Sequence, residues 1–345
     1  MTDEMLTLVE GGAGRMRLNR PRAIHALTRP MCTAMITALQ AWRGDAAVEV
    51  VLIDHAEGRG FCAGGDVIQA STDAAVAHAF FHEEYRLNHL LFTYAKPTVA
   101  FMDGVTMGGG VGISQPCKYR IATENTMFAM PETGIGLFPD VGGGWYLSRL
   151  AGAMGEYLAL TGARLDGGEC FALGLATHYV PSASLAALKA AIAADPQALA
   201  RLIEEAAVVA PPAAILERAA QIDALFAHRD YEDVLSALAA DASPWAEATL
   251  GTLRRKSPQA CKVSLRLVLD GRDRTDFADE MRAEYGIAVH VCQRPDFAEG
   301  VRALLVDRDN RPKWNPATAE GVTEHMIDTI FSPLSDDEAW TPLGR

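Results

Sequence analysis

Pro97-Thr98-Val99-Ala100-Phe101-Met102-Asp103-Gly104-Val105-Thr106-Met107-Gly108-Gly109-Gly110-Val111-Gly112 is the stretch that decides the fold class. Its first six residues read as a buried strand, and it ends in a glycine-dense loop. The same order occurs upstream, where the apolar run Val48–Ile53 precedes Gly58-Arg59-Gly60-Phe61-Cys62-Ala63-Gly64-Gly65-Asp66. Between the two lies Asp73–Tyr94, Ala-rich and aromatic with no Gly or Pro, which predicts a long helix. Strands separated by helical segments point to a wound α/β arrangement.

Toward the N-terminus, Leu6–Val9 and Met16–Leu18 read as short strands around a Gly-rich turn at 11–14. Pro30 opens a helical stretch with Met31, Met35, Ile36 and Leu39 at three- and four-residue spacing. Beyond about residue 150 helical segments follow one another at 154–161, 184–193, 197–209, 212–226, 230–240, 244–256, 258–270 and 275–291. The expected organisation is an α/β core over 1–200 and a helical region over 201–345, with no internal repeat or low-complexity linker between them.

The 345 residues are 49% hydrophobic and 22% charged, an ordinary globular composition. A formal net charge of −13 argues against a nucleic-acid partner, whose binding rests on a basic surface. No apolar run approaches the roughly 20 residues that span a bilayer, so no membrane partner is expected. The start, Met1-Thr2-Asp3-Glu4, lacks a signal or transit pattern. Six scattered cysteines without a C-x-x-C pair read as reduced thiols. Together these predict a cytoplasmic setting.

Neither glycine loop has the G-x-G-x-x-G spacing of a dinucleotide fold or the Gly-Lys-Ser/Thr of a phosphate loop. Glycine does let backbone N–H groups approach a ligand closely. One N–H from each loop, converging on one carbonyl oxygen, would make an oxyanion hole. Other chemistries are weaker. His78, His82 and His89 can share a helix face, but further metal ligands at suitable spacing are missing. There is no G-x-S-x-G elbow, and Cys62 reads as a small packed thiol.

Four ordered motifs carry a resemblance: Asn19-Arg20-Pro21-Arg22-Ala23-Ile24-His25-Ala26-Leu27, the Phe61–Asp66 loop, Asp103–Gly110, and Met130-Pro131-Glu132-Thr133-Gly134-Ile135-Gly136-Leu137-Phe138-Pro139. From about residue 5 to 270 the chain resembles the crotonase (enoyl-CoA hydratase/isomerase) superfamily. The resemblance implies a crotonase-like ββα spiral core with a helical C-terminal region and an acyl-coenzyme A substrate. It assigns the oxyanion hole to the N–H groups of Gly65 and Gly109. Coenzyme A would lie along Ala23, Ile24, His25, Ala63, Gly64 and Asp66. It also implies homo-oligomers, trimers or dimers of trimers, unless the helical tail packs on its own subunit.

Enoyl-CoA hydratases resemble one another in holding one water between two glutamates. Here the first position is Gly112, the second is Glu132, and a new carboxylate stands at Asp140. One carboxylate cannot easily both deprotonate water and leave a partner to protonate carbon, so simple hydration is disfavoured. The segment Met130–Gly144, the helix Phe80-Phe81-His82-Glu83-Glu84-Tyr85, and the tail Asp296–Ala303 with Lys313-Trp314-Asn315-Pro316-Ala317 resemble the 3-hydroxyisobutyryl-CoA hydrolases. That resemblance makes Glu132 the nucleophile or general base. Asp140 would bind the substrate hydroxyl or handle the leaving group's proton, and Glu84 would border the acyl pocket. It implies no metal and no cofactor beyond the coenzyme A of the substrate. Atypical hydration, isomerisation and a silent acyl-CoA-binding protein are the competing readings.

Overall fold

A computed structural model describes residues 2–344; Met1 of the opening segment, and Arg345, lie outside the described residues. Ten strands are present among them: β1 Met5–Glu10, β2 Ala13–Leu18, β3 Val50–His55, β4 Gly60–Cys62, β5 Thr98–Met102, β6 Val105–Met107, β7 Tyr119–Ala122, β8 Met127–Ala129, β9 Leu165–Asp166 and β10 His178–Tyr179. They form a six-stranded sheet in the order β1-β2-β3-β5-β7-β10 and a four-stranded sheet in the order β4-β6-β8-β9. Apart from the β1–β2 hairpin and the β8–β9 pair, the pairings are parallel.

Successive windings give one strand to each sheet. β3 is followed by β4, β5 by β6 and β7 by β8. Helix α2, Ala74–Phe92, follows the first such pair, and the short helix α3, Gly109–Ser114, follows the second. This is the expected ββα spiral. The β4, β6 and β8 strands have only three residues each, too few to show a period, and sequence reading left the first two inside loops.

Local signals explain the element bounds. Helix α1, Arg29–Arg43, begins after Thr28, whose hydroxyl accepts the Met31 N–H, with Pro30 in the first turn. It buries Met31, Met35, Ile36, Leu39 and Trp42, the face its spacing predicted. Asp73 caps α2 by accepting from the N–H groups of Ala75 and Val76. The six-stranded sheet is apolar on both faces. Val51 and Ile53 of β3 enter the larger core, while Val50 and Leu52 enter a second one with Leu185, Leu188 and Ile192. Burial on both faces is why β3 and β5 read as continuous apolar runs rather than alternating ones.

The C-terminal helices share the larger core, which runs from Met5 to Trp340. Helix Phe277–Cys292 lies along α2, where Tyr285 meets the rings of His82 and Tyr85. The tail packs on its own chain: Trp340 is fully buried and its indole N–H donates to His82 O. Asp296, also fully buried, accepts from the Ser257 hydroxyl at 2.5 Å and the Asn315 N–H at 2.7 Å. It thereby ties the tail to the start of helix Pro258–Gly271.

Candidate active site

The two glycine loops meet because β4 and β6 are paired neighbours. Leu27 N–H donates to Gly64 O at 2.8 Å and Asp66 N–H to Leu27 O at 2.7 Å. These bonds use the flanking residues, so the N–H of Gly65 between them turns away from Leu27. On the other loop, Gly108 adopts φ +49° and Gly109 is the first residue of α3, where an N–H has no partner inside the helix. The loops are in backbone contact. A Cβ on Gly109 would lie 3.3 Å from the Gly64 carbonyl carbon, and one on Gly108 would lie 3.3 Å from Gly64 Cα.

Two carboxylates border this junction. The Gly109 Cβ position is 2.5 Å from Glu84 Oε1, and that of Gly108 is 2.9 Å from Glu132 Oε1. Glu84 comes from the middle of α2, and Glu132 from the helical turn Glu132–Ile135 that follows β8 and closes at Gly136, φ +72°. A third, Asp140, follows on the same segment. Exposures of 2%, 5% and 4% for Glu84, Glu132 and Asp140 put all three out of bulk water. Together with Ala63, Gly64, Gly65, Gly108 and Gly109 they line one cavity of about 210 Å³.

Burial raises the pKa of each. Glu84 is held well above the usual carboxylate range by burial and then by the charges of Asp140 and Glu132. Glu132 is raised likewise by burial and Asp140, against a small opposing pull from Lys256. Asp140 is pushed up to about 7 by burial, although the Tyr85 hydroxyl, donating to its Oδ2 at 2.8 Å, favours its charged form. Glu84 Oε1 and Glu132 Oε2 are buried without a hydrogen-bond partner among the described residues. Orphaned buried acceptors are costly, and these two lie at the cavity.

Gly112 is closed off. A Cβ there would meet Val141 Cβ at 2.6 Å and Asn88 Nδ2 at 2.8 Å, while that amide donates to Gly112 O at 2.9 Å. Val141 fills the space from a left-handed conformation, φ +54°, a strained one for a β-branched residue. The turn is held from below by Glu284, fully buried, which accepts the N–H groups of Gly142 at 2.8 Å and Gly144 at 3.1 Å. The space beside Gly112 is thus filled by packing.

Of the residues expected to hold coenzyme A, Ala63 and Gly64 line the cavity, whereas Ala23, Ile24, His25 and Asp66 lie outside its lining. The two groups adjoin, since Ala63 N–H donates to Ile24 O at 2.9 Å. His25 is fully buried. Its Nδ1 accepts the Arg20 N–H at 2.9 Å, which makes Nε2, 2.8 Å from Glu57 O, the donor. That side chain fixes the loop, which includes left-handed Ile24 and His25. Asp66 is held by Arg20 at 2.9 Å, with Arg20 also bonded to Ala26 O and Glu4.

Burial pushes the Cys62 thiol up to about 12, so it is no thiolate. His82 and His89 pack on Tyr285, Phe277 and Trp340, an aromatic seam between α2 and the C-terminal helices. Sequence reasoning missed Phe80, Leu304 and Leu305 as cavity walls and Tyr85 and Glu284 as supports of the Asp140 turn. Phe80 and Tyr85 stood in a segment already singled out for its resemblance. Leu304 and Leu305 carry no local signal beyond their nearness to the tail motif. A larger groove, of about 890 Å³, lies between β1 and α1 and has no carboxylate among its lining residues.

The chain is similar to known proteins over nearly its whole length. The enoyl-CoA hydratase/isomerase family matches residues 13–331. A Danio rerio protein named 3-hydroxyisobutyryl-CoA hydrolase, mitochondrial, is 41% identical, covering 96% of this chain and 90% of its own. Arabidopsis thaliana 3-hydroxyisobutyryl-CoA hydrolase 1 is 40% identical, covering 94% and 90%. The crystal structure of a carnitinyl-CoA dehydratase from Mycobacterium thermoresistibile superposes with a TM-score of 0.95 at 37% identity, covering all of both chains. The cytoplasmic expectation does not stand, because the Danio rerio relative and several others are mitochondrial by name. Its basis was too weak: five of the six cysteines are buried, and a thiol shielded by packing says nothing about compartment. The family match and the identity of these relatives show that the chain belongs to the enoyl-CoA hydratase/isomerase family.

Proposed function

We infer that the chain hydrolyses a short branched 3-hydroxyacyl-CoA thioester, 3-hydroxyisobutyryl-CoA, to 3-hydroxyisobutyrate and coenzyme A, a step of valine breakdown. One observation carries the reading. The buried Glu132, with an unpartnered oxygen, lines the same small cavity as Gly65 and Gly109. The names of the relatives from Danio rerio and Arabidopsis thaliana support the same chemistry.

The thioester carbonyl oxygen is received by the two backbone N–H groups, each donor contributing about 2.7–4 kcal/mol to the oxyanion that forms. Glu132 then attacks the carbonyl carbon, or takes a proton from a water that does. In either case the C–S bond breaks, coenzyme A leaves as a thiolate that is protonated, and one water is consumed per acid released. Asp140, poised near neutrality, bonds the 3-hydroxyl, and Glu84 closes the hole on the Gly109 side. Single turnover in ¹⁸O-water tests the direct route: an acyl–Glu132 anhydride opened by water at the Glu132 carbonyl carbon releases acid bearing an unlabelled Glu132 oxygen, an outcome that attack of water on the thioester cannot give.

A second reading is a hydration or dehydration reaction, favoured by the name of the Mycobacterium thermoresistibile structure. The filled space at Gly112 opposes it. A thiol-release assay decides between them. The hydrolase reading expects fast release from 3-hydroxyisobutyryl-CoA and release from isobutyryl-CoA slower by up to about 10⁴-fold, because a site built around a hydroxyl is left unpaired without it. It also expects little hydration of crotonyl-CoA. Fast hydration without thiol release would refute it.

A further inference from the structure

Tyr85 is the one side chain among the described residues that hydrogen-bonds Asp140, its hydroxyl donating to Oδ2 at 2.8 Å. The bond joins residues 55 apart in the chain, one on α2 and one in the turn after Pro139. Tyr85 is fully buried and is not part of the cavity lining, which takes Phe80, Phe81 and Glu84 from the same helix. It therefore acts on a ligand through Asp140 rather than by touching it. Its ring packs on those of Phe81 and Tyr285, at centroid distances of 5.9 and 6.3 Å, which fixes where the hydroxyl stands.

The rest of the turn leaves one freedom at Asp140. Its backbone is held: the Asp140 carbonyl accepts Gly143 N–H at 2.8 Å, and Glu284 accepts the N–H groups of Gly142 and Gly144. The carboxylate plane turns about a soft, two-fold torsion. Tyr85 ends that freedom. With Oδ2 taken, Oδ1 is the oxygen left for a ligand in the cavity that Asp140 lines. The same bond also bears on charge. The titratable groups that face Asp140 are Glu84 from α2, Glu132 from its own segment, and Glu284 and Cys292 from helix Phe277–Cys292. Each of them can only become negative. Burial raises the Tyr85 phenol well above its ordinary range, so it stays a donor and favours the charged form of Asp140.

We propose that Tyr85 is the positioning residue that makes Asp140 a selector for hydroxylated acyl groups, holding Oδ2 so that Oδ1 is presented to the substrate's 3-hydroxyl. The inference rests on the reading of Asp140 as the partner of that hydroxyl. A fixed carboxylate offers one acceptor in one direction, and an acyl group without a hydroxyl leaves that acceptor unpaired. A carboxylate free to turn discriminates less, because it can find another partner. Orientation, not contact, is what Tyr85 contributes.

The test uses the full chain and Tyr85→Phe, which removes the hydroxyl and keeps the ring. kcat/KM is measured for 3-hydroxyisobutyryl-CoA and isobutyryl-CoA, and their ratio is the preference. The ratio is expected to fall about tenfold in Tyr85→Phe, the low end for a hydrogen bond to a charged group. In an Asp140→Ala background the same substitution is expected to change the ratio by less than about twofold, since the group it acts through is gone. Equal losses on both esters overturn the proposal, because they report a change of shape. A full effect in the absence of Asp140 overturns it too. Urea unfolding reads the same bond without turnover. Without the donor, Asp140 holds its proton to higher pH. Tyr85→Phe should then go on losing stability relative to Tyr85→Phe/Asp140→Asn above the pH at which wild type stops losing it relative to Asp140→Asn. Coincident pH limits overturn the proposal. A wild-type chain with no preference for the hydroxylated ester removes the reading of Asp140 itself, whereas a wild-type preference that Tyr85→Phe keeps within about twofold removes only the role of Tyr85.

Discussion

Replacing Asp140 by Asn should change how stability depends on pH, in a direction and by an amount that the burial of this one carboxylate sets. Asp140 is buried against Tyr85, and its pKa stands at about 7 in the folded chain, against about 3.9 when unfolded. The folded state therefore holds the proton more tightly. The associated stability is complete below the unfolded pKa and is lost as pH rises toward and through 7. Between pH 5 and pH 7 about two pH units of this window are crossed, each equivalent to about 1.4 kcal/mol. Because the folded group is itself half titrated at pH 7, wild type should lose about 2 kcal/mol relative to Asp140→Asn over that interval, with no further divergence from this group well above 7. Asn keeps an acceptor for the Tyr85 hydroxyl, so shape and bonding are nearly conserved while the titration is removed. Urea unfolding of both proteins at half-unit steps from pH 5 to 8, read by tryptophan fluorescence, gives the difference directly. A constant difference across that range would refute the assignment of a raised pKa to Asp140. A gap opening in the opposite sense would show that the folded state favours its charged form.

Two other substitutions probe the site. Glu132→Gln should lower kcat by at least roughly a hundredfold, as for loss of a general base, while coenzyme A affinity measured by calorimetry stays near wild type; retention of half the activity would exclude Glu132 from the chemistry. Gly112→Glu should not create a hydratase: Val141 and Asn88 already occupy its Cβ space, so overpacking is expected to cost about 1–3 kcal/mol. A chemical-denaturation curve unchanged from wild type, with crotonyl-CoA hydration gained, would show that the space is open.

The sequence by itself determined the wound α/β order, the helical region and the identities of the chemical groups. Strand β3 and helices α1 and α2 were legible because their signals are local: apolar runs, a 3.6-residue period, and capping residues such as Thr28 and Asp73. The glycine loops were legible because close backbone approach and left-handed turns both call for residues without a Cβ. Glu132 and Asp140 were legible through motif order. Tertiary structure alone decided which of these groups share a cavity. Glu84, 25 residues before Gly109 in the chain, comes beside Gly109 only because α2 packs there. Leu304 and Leu305 become walls of the same cavity only because Asp296 and its partners fold the tail back. Val141 closes the space at Gly112 from a conformation that no propensity would have suggested. The charge state of Asp140 is of the same kind, since it depends on exclusion of water, and burial is a property of the assembled chain rather than of any segment of it.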